Sequence, residues 1–189
     1  MLSKYLAVVF PGIGYNTDKP LLYYAAKLAL NKGYDIFNIQ YHDMPQKIRG
    51  NAEMMRISAD IAYEQVKEQL CSTDLNKYDK ILFIAKSLGT VVSSRYASEH
   101  GSDAGQIWYT PVEATFSSAT LENRKIVAFI GDEDPWSDVD AVKNMAKERD
   151  IPLFSYPECN HSLESGDVDR NIEILREVMV ETKKFMDHY

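Results

Sequence analysis

Ser87 stands between an apolar run typical of a buried strand and a segment with helical spacing, within Ala85-Lys86-Ser87-Leu88-Gly89. A serine on a sharp strand-to-helix turn projects its hydroxyl above the edge of the sheet, and the turn needs small residues two positions before and two positions after it. The usual pattern is G-x-S-x-G, and here Ala85 takes the first glycine position. The pattern predicts that Ser87 is a nucleophile. The alternative is that Ser87 only caps the following helix.

A base and an acid suited to such a nucleophile follow two later strand candidates. A serine hydroxyl is a weak nucleophile at neutral pH, so it needs a base, and the base needs an orienting carboxylate. His161 lies just after the last strand candidate and Asp134 just after the one before it. The order Ser87, Asp134, His161 differs from the orders found in the two other common serine triads. We therefore expect these three side chains to meet at the carboxyl edge of a parallel sheet.

Two neighbouring acids compete with Asp134 for the orienting role. Asp132 and Glu133 precede it in the same loop, after Gly131. Pro135 sets the chain direction directly after Asp134, and the spacing from Gly131 favours Asp134 over the other two.

Acyl transfer also requires donors for the oxyanion that forms on the attacked carbonyl group. The N–H of Leu88, the residue after the nucleophile, is one candidate. The second is expected in the loop Pro11-Gly12-Ile13-Gly14-Tyr15-Asn16, with the N–H of Ile13 preferred and that of Gly14 next. The alternative for this loop is a simple glycine turn.

Several other residues near the strand ends are candidates for a role. Tyr15 and Trp136 are candidate substrate-binding residues, although aromatic residues at such positions also occur as plain packing. Lys86 is expected to be solvated and Cys159 to be a small packing residue. The acidic loop lacks the pattern of a calcium site, and the chain has no zinc spacing, so we expect no metal and no cofactor. Trp108 and Tyr109, like Tyr15 and Trp136, are expected either to line a substrate pocket or to be plain packing residues.

The elements that position these residues alternate between short apolar runs and periodic segments. The predicted strands are Tyr5–Phe10, Asp35–Tyr41, Lys80–Ala85, Gln106–Thr110, Lys125–Ile130 and Pro152–Tyr156. The predicted helices are Pro20–Asn31, Asn51–Leu70, Leu88–His100, Asp138–Glu148 and Val168–Phe185. This alternation predicts βαβ crossovers, and therefore a mostly parallel sheet of about six strands in a three-layer α/β/α sandwich. No repeat or linker divides residues 1–189, so we expect one domain.

Charge and composition exclude some partners. Lys plus Arg is 21 and Asp plus Glu is 28, a net charge of −7, which argues against nucleic acid and anionic membranes as partners. Two cysteines are too few for a disulfide scaffold, and the apolar run Tyr5–Phe10 indicates a strand rather than a secretory signal. We therefore expect a cytoplasmic protein with a small-molecule substrate. Nothing in the sequence sets its oligomeric state.

The quoted segments together resemble a known family. The turn around Ser87, the Gly131-x-x-Asp134-Pro135 loop and Asn160-His161-Ser162-Leu163 resemble a small α/β-hydrolase, similar to lidless dienelactone-hydrolase-like proteins and generic carboxylesterases. The resemblance implies a minimal fold that starts at the third strand of the full eight-stranded form. The chain departs from the pattern at Ala85 and at Pro11, where many members have His. It also has no insertion long enough for a lid, which implies an open cleft.

These residues predict a serine hydrolase that cleaves small carboxylic esters or thioesters through an acyl-enzyme. One alternative is a non-catalytic binding module that retains the fold, which the departures at Ala85 and Pro11 suggest. Another is cofactor-free, non-hydrolytic chemistry on the same triad, such as perhydrolysis or carbon–carbon cleavage.

Overall fold

The computed structural model describes residues 4–46, 48–117 and 125–189. Within these ranges the strands are β1 (Tyr5–Phe10), β2 (Tyr34–Asn38), β3 (Lys80–Lys86), β4 (Gly105–Tyr109), β5 (Ile126–Gly131) and β6 (Leu153–Tyr156). The helices are α1 (Pro20–Asn31), α2 (Ala52–Leu70), α3 (Leu88–Glu99), α4 (Glu113–Ser117), α5 (Val139–Glu148) and α6 (Val168–His188). A 3-10 turn, Leu75–Lys77, precedes β3.

The six strands form one sheet in the order β2-β1-β3-β4-β5-β6, and every neighbouring pair is parallel. Side chains of a strand alternate between the two faces. In β1, Val8 and Phe10 contribute to a core beneath α2, α3, α4 and α5, whereas Ala7 and Val9 contribute to a core beneath α1 and α6. The predicted three-layer α/β/α arrangement with a parallel sheet is confirmed, and all strands end at the same edge.

Helices α2 and α5 begin at a residue whose side chain caps them. Asn51 accepts a hydrogen bond from the N–H of Met54 at the start of α2, and Asp138 accepts one from Ala141 at the start of α5. A polar oxygen at this position satisfies a backbone N–H that has no partner inside the helix. None of the helices in the described ranges has both the length and the apolar character that crossing a bilayer requires.

The end of β2 and the helix α4 differ from the sequence expectation. β2 ends at Asn38 instead of Tyr41, because the backbone at Gln40 and His42 bonds to glutamine side chains of α2 instead of to another strand. The five-residue α4 is too short to show a helical period, and it was not predicted. A hydrogen bond of 2.6 Å between the hydroxyls of Thr115 and Thr90 joins α4 to α3.

Candidate active site

Three side chains predicted to converge lie in one hydrogen-bonded chain at the carboxyl edge of the sheet. Ser87 follows β3, Asp134 follows β5 and His161 follows β6. The Ser87 Oγ lies 2.7 Å from His161 Nε2, and His161 Nδ1 lies 2.6 Å from Asp134 Oδ2. With a neutral ring, Nδ1–H donates to the carboxylate and Nε2 accepts from the hydroxyl. The other oxygen of Asp134 accepts the N–H of Trp136 at 2.9 Å, which fixes the carboxylate.

The backbone at Ser87 has the geometry of a sharp turn. Its φ is 53°, in the left-handed region that non-glycine residues adopt at a cost of about 1–3 kcal/mol. Its N–H donates to the carbonyl of Tyr109 at 3.0 Å, which ties the turn to the end of β4. Ser87 occupies the N-cap position of α3, but its side chain makes no capping hydrogen bond. The hydroxyl is therefore directed to His161 and does not cap the helix.

Close backbone packing explains two of the glycines around this turn. A Cβ atom on Gly89 would lie 2.3 Å from the carbonyl oxygen of Phe10, because the first turn of α3 crosses the end of β1. A Cβ atom on Gly12 would lie 3.1 Å from the Cβ of Ser87. Ala85, in contrast, is fully buried in the core under α3, where its methyl group has room.

The structure distinguishes the three acids of the loop after β5. Only Asp134, which is 4% exposed, is within hydrogen-bond distance of His161. Asp132 instead bonds to Lys143 and to the hydroxyl of Ser155, and Glu133 is exposed. Lys143 and Ser155 also lower the pKa of Asp132.

The loop that carries His161 is held against the acid loop by backbone contacts. The carbonyl of Cys159 accepts the N–H of Glu133 at 3.0 Å, and a Cβ atom on Gly131 would lie 2.2 Å from the same oxygen. The glycine thus allows the two loops to cross. Asn160 organises the base loop, since its side-chain oxygen accepts the N–H of Ser162 at 2.7 Å. The sequence analysis gave Asn160 no role of its own. An asparagine that bonds to the backbone two residues later is, however, a local signal for a turn, and this signal could have identified its role.

The surroundings of His161 favour its neutral, basic form. Burial is the largest influence and lowers its pKa below the ordinary value of 6.5, and the positive charges of Lys86 and Arg49 act in the same direction. The hydrogen bond to Asp134 opposes them. The indole of Trp136 stacks on the imidazole with 5.5 Å between ring centroids. A base with a pKa near or below neutrality is unprotonated and able to accept a proton at pH 7.

Lys86 requires a correction, because it was expected to be solvated and is only 1% exposed. Alternation along β3 directs Lys86 to the same face as Ile84, into the core beneath α1 and α6. Its Nζ lies 5.0 Å from the centroid of the Tyr15 ring. Burial lowers the pKa of Lys86 to about 7, with the charges of Asp134 and Glu164 opposing that change.

The backbone donors predicted for an oxyanion lie near Ser87. Leu88 is the first residue of α3, so its N–H has no acceptor within the helix. In the loop after β1, the N–H groups of Gly12 and Tyr15 bond to each other's carbonyl oxygens, which places Ile13 and Gly14 at the tip of a tight turn. Ile13 and Leu88 line the same cleft as Ser87, whereas Gly14 lines a different depression. The position of Ile13 in the cleft favours its N–H over that of Gly14 as the second donor to the oxyanion.

Of the two candidate substrate-binding residues, Trp136 lies in the cleft and Tyr15 lies in the core. Trp136 lines the cleft beside His161. Tyr15 does not line it, because the tight turn directs its ring into the core under α1, where its hydroxyl accepts the N–H of Leu21 at 3.1 Å. Trp108 and Tyr109 are fully buried packing residues, and so is Cys159.

The cleft over Ser87 is a cavity of about 610 Å³ with mostly apolar walls. Part of its wall comes from α2, where Met55 and Ala59 line it. From the sequence these residues belong to the apolar stripe of α2 and look like core, because cleft walls and core use the same residue types. In the part of the chain that the structure describes, no three His, Cys, Asp or Glu side chains group closely enough to hold a metal ion.

Comparisons with known proteins give structural neighbours only. No family model matches the chain, and no curated protein matches it by sequence. An esterase from Pyrococcus furiosus superposes with a TM-score of 0.67 at 13% identity, covering 100% of this chain and 84% of the esterase. An α/β serine hydrolase without a lid from Xanthomonas campestris superposes with a TM-score of 0.60 at 14% identity, covering 100% of this chain and 83% of that protein.

A third neighbour agrees with these two. An α/β serine hydrolase homologue from Coxiella burnetii gives a TM-score of 0.66 at 16% identity, covering 94% of this chain and 84% of that one. Likeness at such low identity establishes the fold and leaves the activity to be argued from the site. Together with the parallel six-stranded sheet, these comparisons show that the chain has the α/β-hydrolase fold in a minimal form.

Proposed function

We propose that this protein is a serine hydrolase that cleaves carboxylic esters or thioesters through an acyl-enzyme. The observation that carries the proposal is the hydrogen-bonded chain from Ser87 through His161 to Asp134. Nucleophilic acyl transfer requires a base that contacts the nucleophile and a group that orients the base. The buried carboxylate of Asp134, the lowered pKa of His161 and the positive φ of Ser87 suit these roles.

The first half of the reaction acylates Ser87. Its oxygen attacks the carbonyl carbon while His161 Nε2 accepts the hydroxyl proton, and the carbonyl electron pair moves onto oxygen. The N–H groups of Leu88 and Ile13 stabilise this oxyanion. The electron pair returns, the bond to the leaving oxygen or sulfur breaks, and protonated His161 donates its proton to the leaving group.

The second half releases the acid. His161 takes a proton from water, the water oxygen attacks the acyl carbon, and a second oxyanion forms at the same donors. Its collapse breaks the bond to Ser87, whose oxygen recovers the proton from His161. Asp134 holds the ring in the required tautomer and stabilises its charge in both halves.

The departures at Ala85 and Pro11 do not argue for the alternative of a non-catalytic binding module. Both residues are buried, and the turn at Ser87 and the contact with His161 form in their presence.

Hydrolysis of p-nitrophenyl acetate tests the proposal. We expect turnover by the wild type and a loss of about 10⁴-fold or more in kcat for Ser87→Ala, because removing the nucleophile leaves only binding and the oxyanion donors. Ser98→Ala, on the same helix α3, is the matched control and should retain activity. Equal rates for the two variants, or no hydrolysis of acetate and of longer-chain p-nitrophenyl esters by folded wild type, would refute the proposal.

A further inference from the structure

The cleft continues beyond the triad as a groove between α2 and α3. On α3 the lining residues recur at helical spacing, so they form one face of the helix, and residues of α2 face them. We call this the α2–α3 groove. Its walls are Met55, Ala59, Leu88, Val91, Val92 and Arg95.

The groove is about the length of a medium-chain acyl group. From Leu88 to Arg95 the axis of α3 advances by roughly 10 Å. An extended hydrocarbon chain advances by roughly 1.3 Å per carbon when its C–C bonds are about 1.5 Å long. The groove therefore accommodates about six to eight carbons.

The far end of the groove is lined by charged side chains that already have partners. Arg95 Nη1 lies 2.9 Å and Arg56 Nη1 3.2 Å from Asp60, while Arg95 Nε lies 2.7 Å from Glu99. Since both guanidinium groups are paired with carboxylates, this end does not present a free receptor for an anionic substrate. A longer hydrocarbon chain would press against ion pairs that lose water on contact, which is unfavourable.

The triad sets which half of an ester enters the groove. The leaving oxygen must lie near His161 Nε2 to receive its proton. The acyl carbon is bonded to Ser87 in the intermediate, beside Leu88 at the start of the groove. The acyl chain is thus the part of the substrate that can extend along α3.

We propose that the α2–α3 groove binds the acyl chain of the substrate and selects unbranched acyl groups of about six to eight carbons. This inference rests on the proposed function, and it specifies the substrate class of the same site. Ala59 and Val91 determine the width of the groove, and the Arg56–Asp60–Arg95 cluster determines its length.

A chain-length series of p-nitrophenyl esters, from acetate to dodecanoate, tests the inference. For wild type, kcat/KM should rise about three- to fourfold with each added CH2 group up to six to eight carbons, and then level or fall. In Ala59→Phe the ratio of octanoate to acetate activity should drop about tenfold, because the phenyl ring occupies the space of at least two CH2 groups. Glu68→Phe introduces the same ring on the solvent face of α2 and should leave the ratio unchanged.

An isomeric pair of esters tests which half of the substrate occupies the groove. Methyl octanoate and heptyl acetate have the same composition, but the long chain lies on the acyl side in the first and on the alcohol side in the second. We expect methyl octanoate to be hydrolysed at least about tenfold faster, as two or more additional buried CH2 groups would give. A preference for heptyl acetate would overturn the assignment.

Failure of this inference can be told apart from failure of the proposed function. If acetate is hydrolysed in a Ser87-dependent way but chain length and Ala59→Phe have no effect, the groove assignment is wrong and the hydrolase proposal stands. If no ester in the series is hydrolysed by the folded protein, the hydrolase proposal fails, and the groove assignment fails with it.

Discussion

At the scale of the residue, the candidate site depends on which carboxylate reaches the imidazole. The sequence favoured Asp134 over Asp132 and Glu133 as the orienting acid, and of the three only Asp134 contacts His161. Neighbours in a loop point in different directions, so the choice follows from loop geometry. That geometry includes the backbone bond from Glu133 to Cys159, which no local pattern reveals.

Asp134→Asn tests this assignment. The amide retains the size of the carboxylate but stabilises the wrong imidazole tautomer, so we expect kcat for ester hydrolysis to fall by about 10³- to 10⁴-fold. Asp132→Asn is the matched control in the same loop and should change kcat by less than about threefold, because Asp132 bonds to Lys143 and Ser155 instead. A larger loss for Asp132→Asn than for Asp134→Asn would contradict the assignment.

The pH profile of kcat/KM reports the protonation of His161 in the free enzyme. Since its pKa lies below 6.5, activity should rise with pH to a midpoint below 6.5 and stay high at neutral pH. The charge of Lys86 contributes to that low pKa, so Lys86→Met should move the midpoint towards higher pH. Lys143→Met, a more exposed lysine bonded to Asp132, should leave the midpoint in place. An unchanged midpoint in Lys86→Met would contradict an electrostatic effect of Lys86 on the base.

The buried Lys86 also links stability to pH. Its pKa is about 7 in the folded protein and 10.5 in its ordinary environment, so between these values the unfolded chain binds more protons. Stability should therefore rise with pH from about 7 towards 10.5, and the cost of burying the charge is fully present below 7. Urea unfolding at pH 7 and pH 8.5 should show a gain of roughly 1–2 kcal/mol in wild type. The gain should be smaller in Lys86→Met, and an equal gain in both would show that another group is responsible.

At the scale of the element, the site is built where strands, helices and loops cross at very short distances. The start of α3 passes over the end of β1 at Gly89, and the acid and base loops cross at Gly131. The G-x-S-x-G pattern in the sequence indicated a glycine at position 89, two residues after Ser87. The pattern alone does not show which backbone atoms this glycine has to approach. The structure identifies it as the carbonyl of Phe10.

Gly89→Ala tests this crossing. The added methyl group would lie 2.3 Å from a backbone oxygen, so α3 or β1 must shift, and we expect a loss of about 3 kcal/mol or more in the free energy of unfolding. Gly166→Ala is the control, because nothing lies within 4 Å of the position that its added methyl group would occupy. Denaturant unfolding curves compare the two variants, and equal stabilities would show that the crossing is not tightly packed.

The strands and long helices were predictable from their own sequences, whereas the short helix α4 and the end of β2 were not. β3 and β5 contain continuous apolar runs. α1 agrees with its prediction from Pro20 to Asn31 because a proline begins it and Gly33 follows its end. α4 depends on threonine hydroxyls that bond across to α3, and the end of β2 depends on glutamines of α2. Such contacts join residues far apart in the chain, so local periodicity does not contain them.

At the scale of the whole molecule, the parallel sheet explains why the convergence of Ser87, Asp134 and His161 could be predicted from their positions in the chain. Once the strands are parallel, every residue that directly follows a strand lies at the same edge, and chain order then indicates which of them can meet. The burial of Lys86 and the use of Met55 and Ala59 as cleft walls were not predictable in this way. Both depend on which face of an element is covered, and the sequence alone does not state that.

Labelling with a fluorophosphonate tests the central claim most directly, because this reagent forms a covalent bond with an activated serine and needs no knowledge of the substrate. The serine oxygen displaces fluoride from the phosphorus, so we predict that the wild-type protein gains the mass of one probe molecule minus that of HF. Peptide mapping should locate the adduct on Ser87, and His161→Ala should abolish the reaction while the protein remains folded. A folded wild-type protein that stays unlabelled, or a label on any other residue, would contradict the assignment of Ser87 as an activated nucleophile.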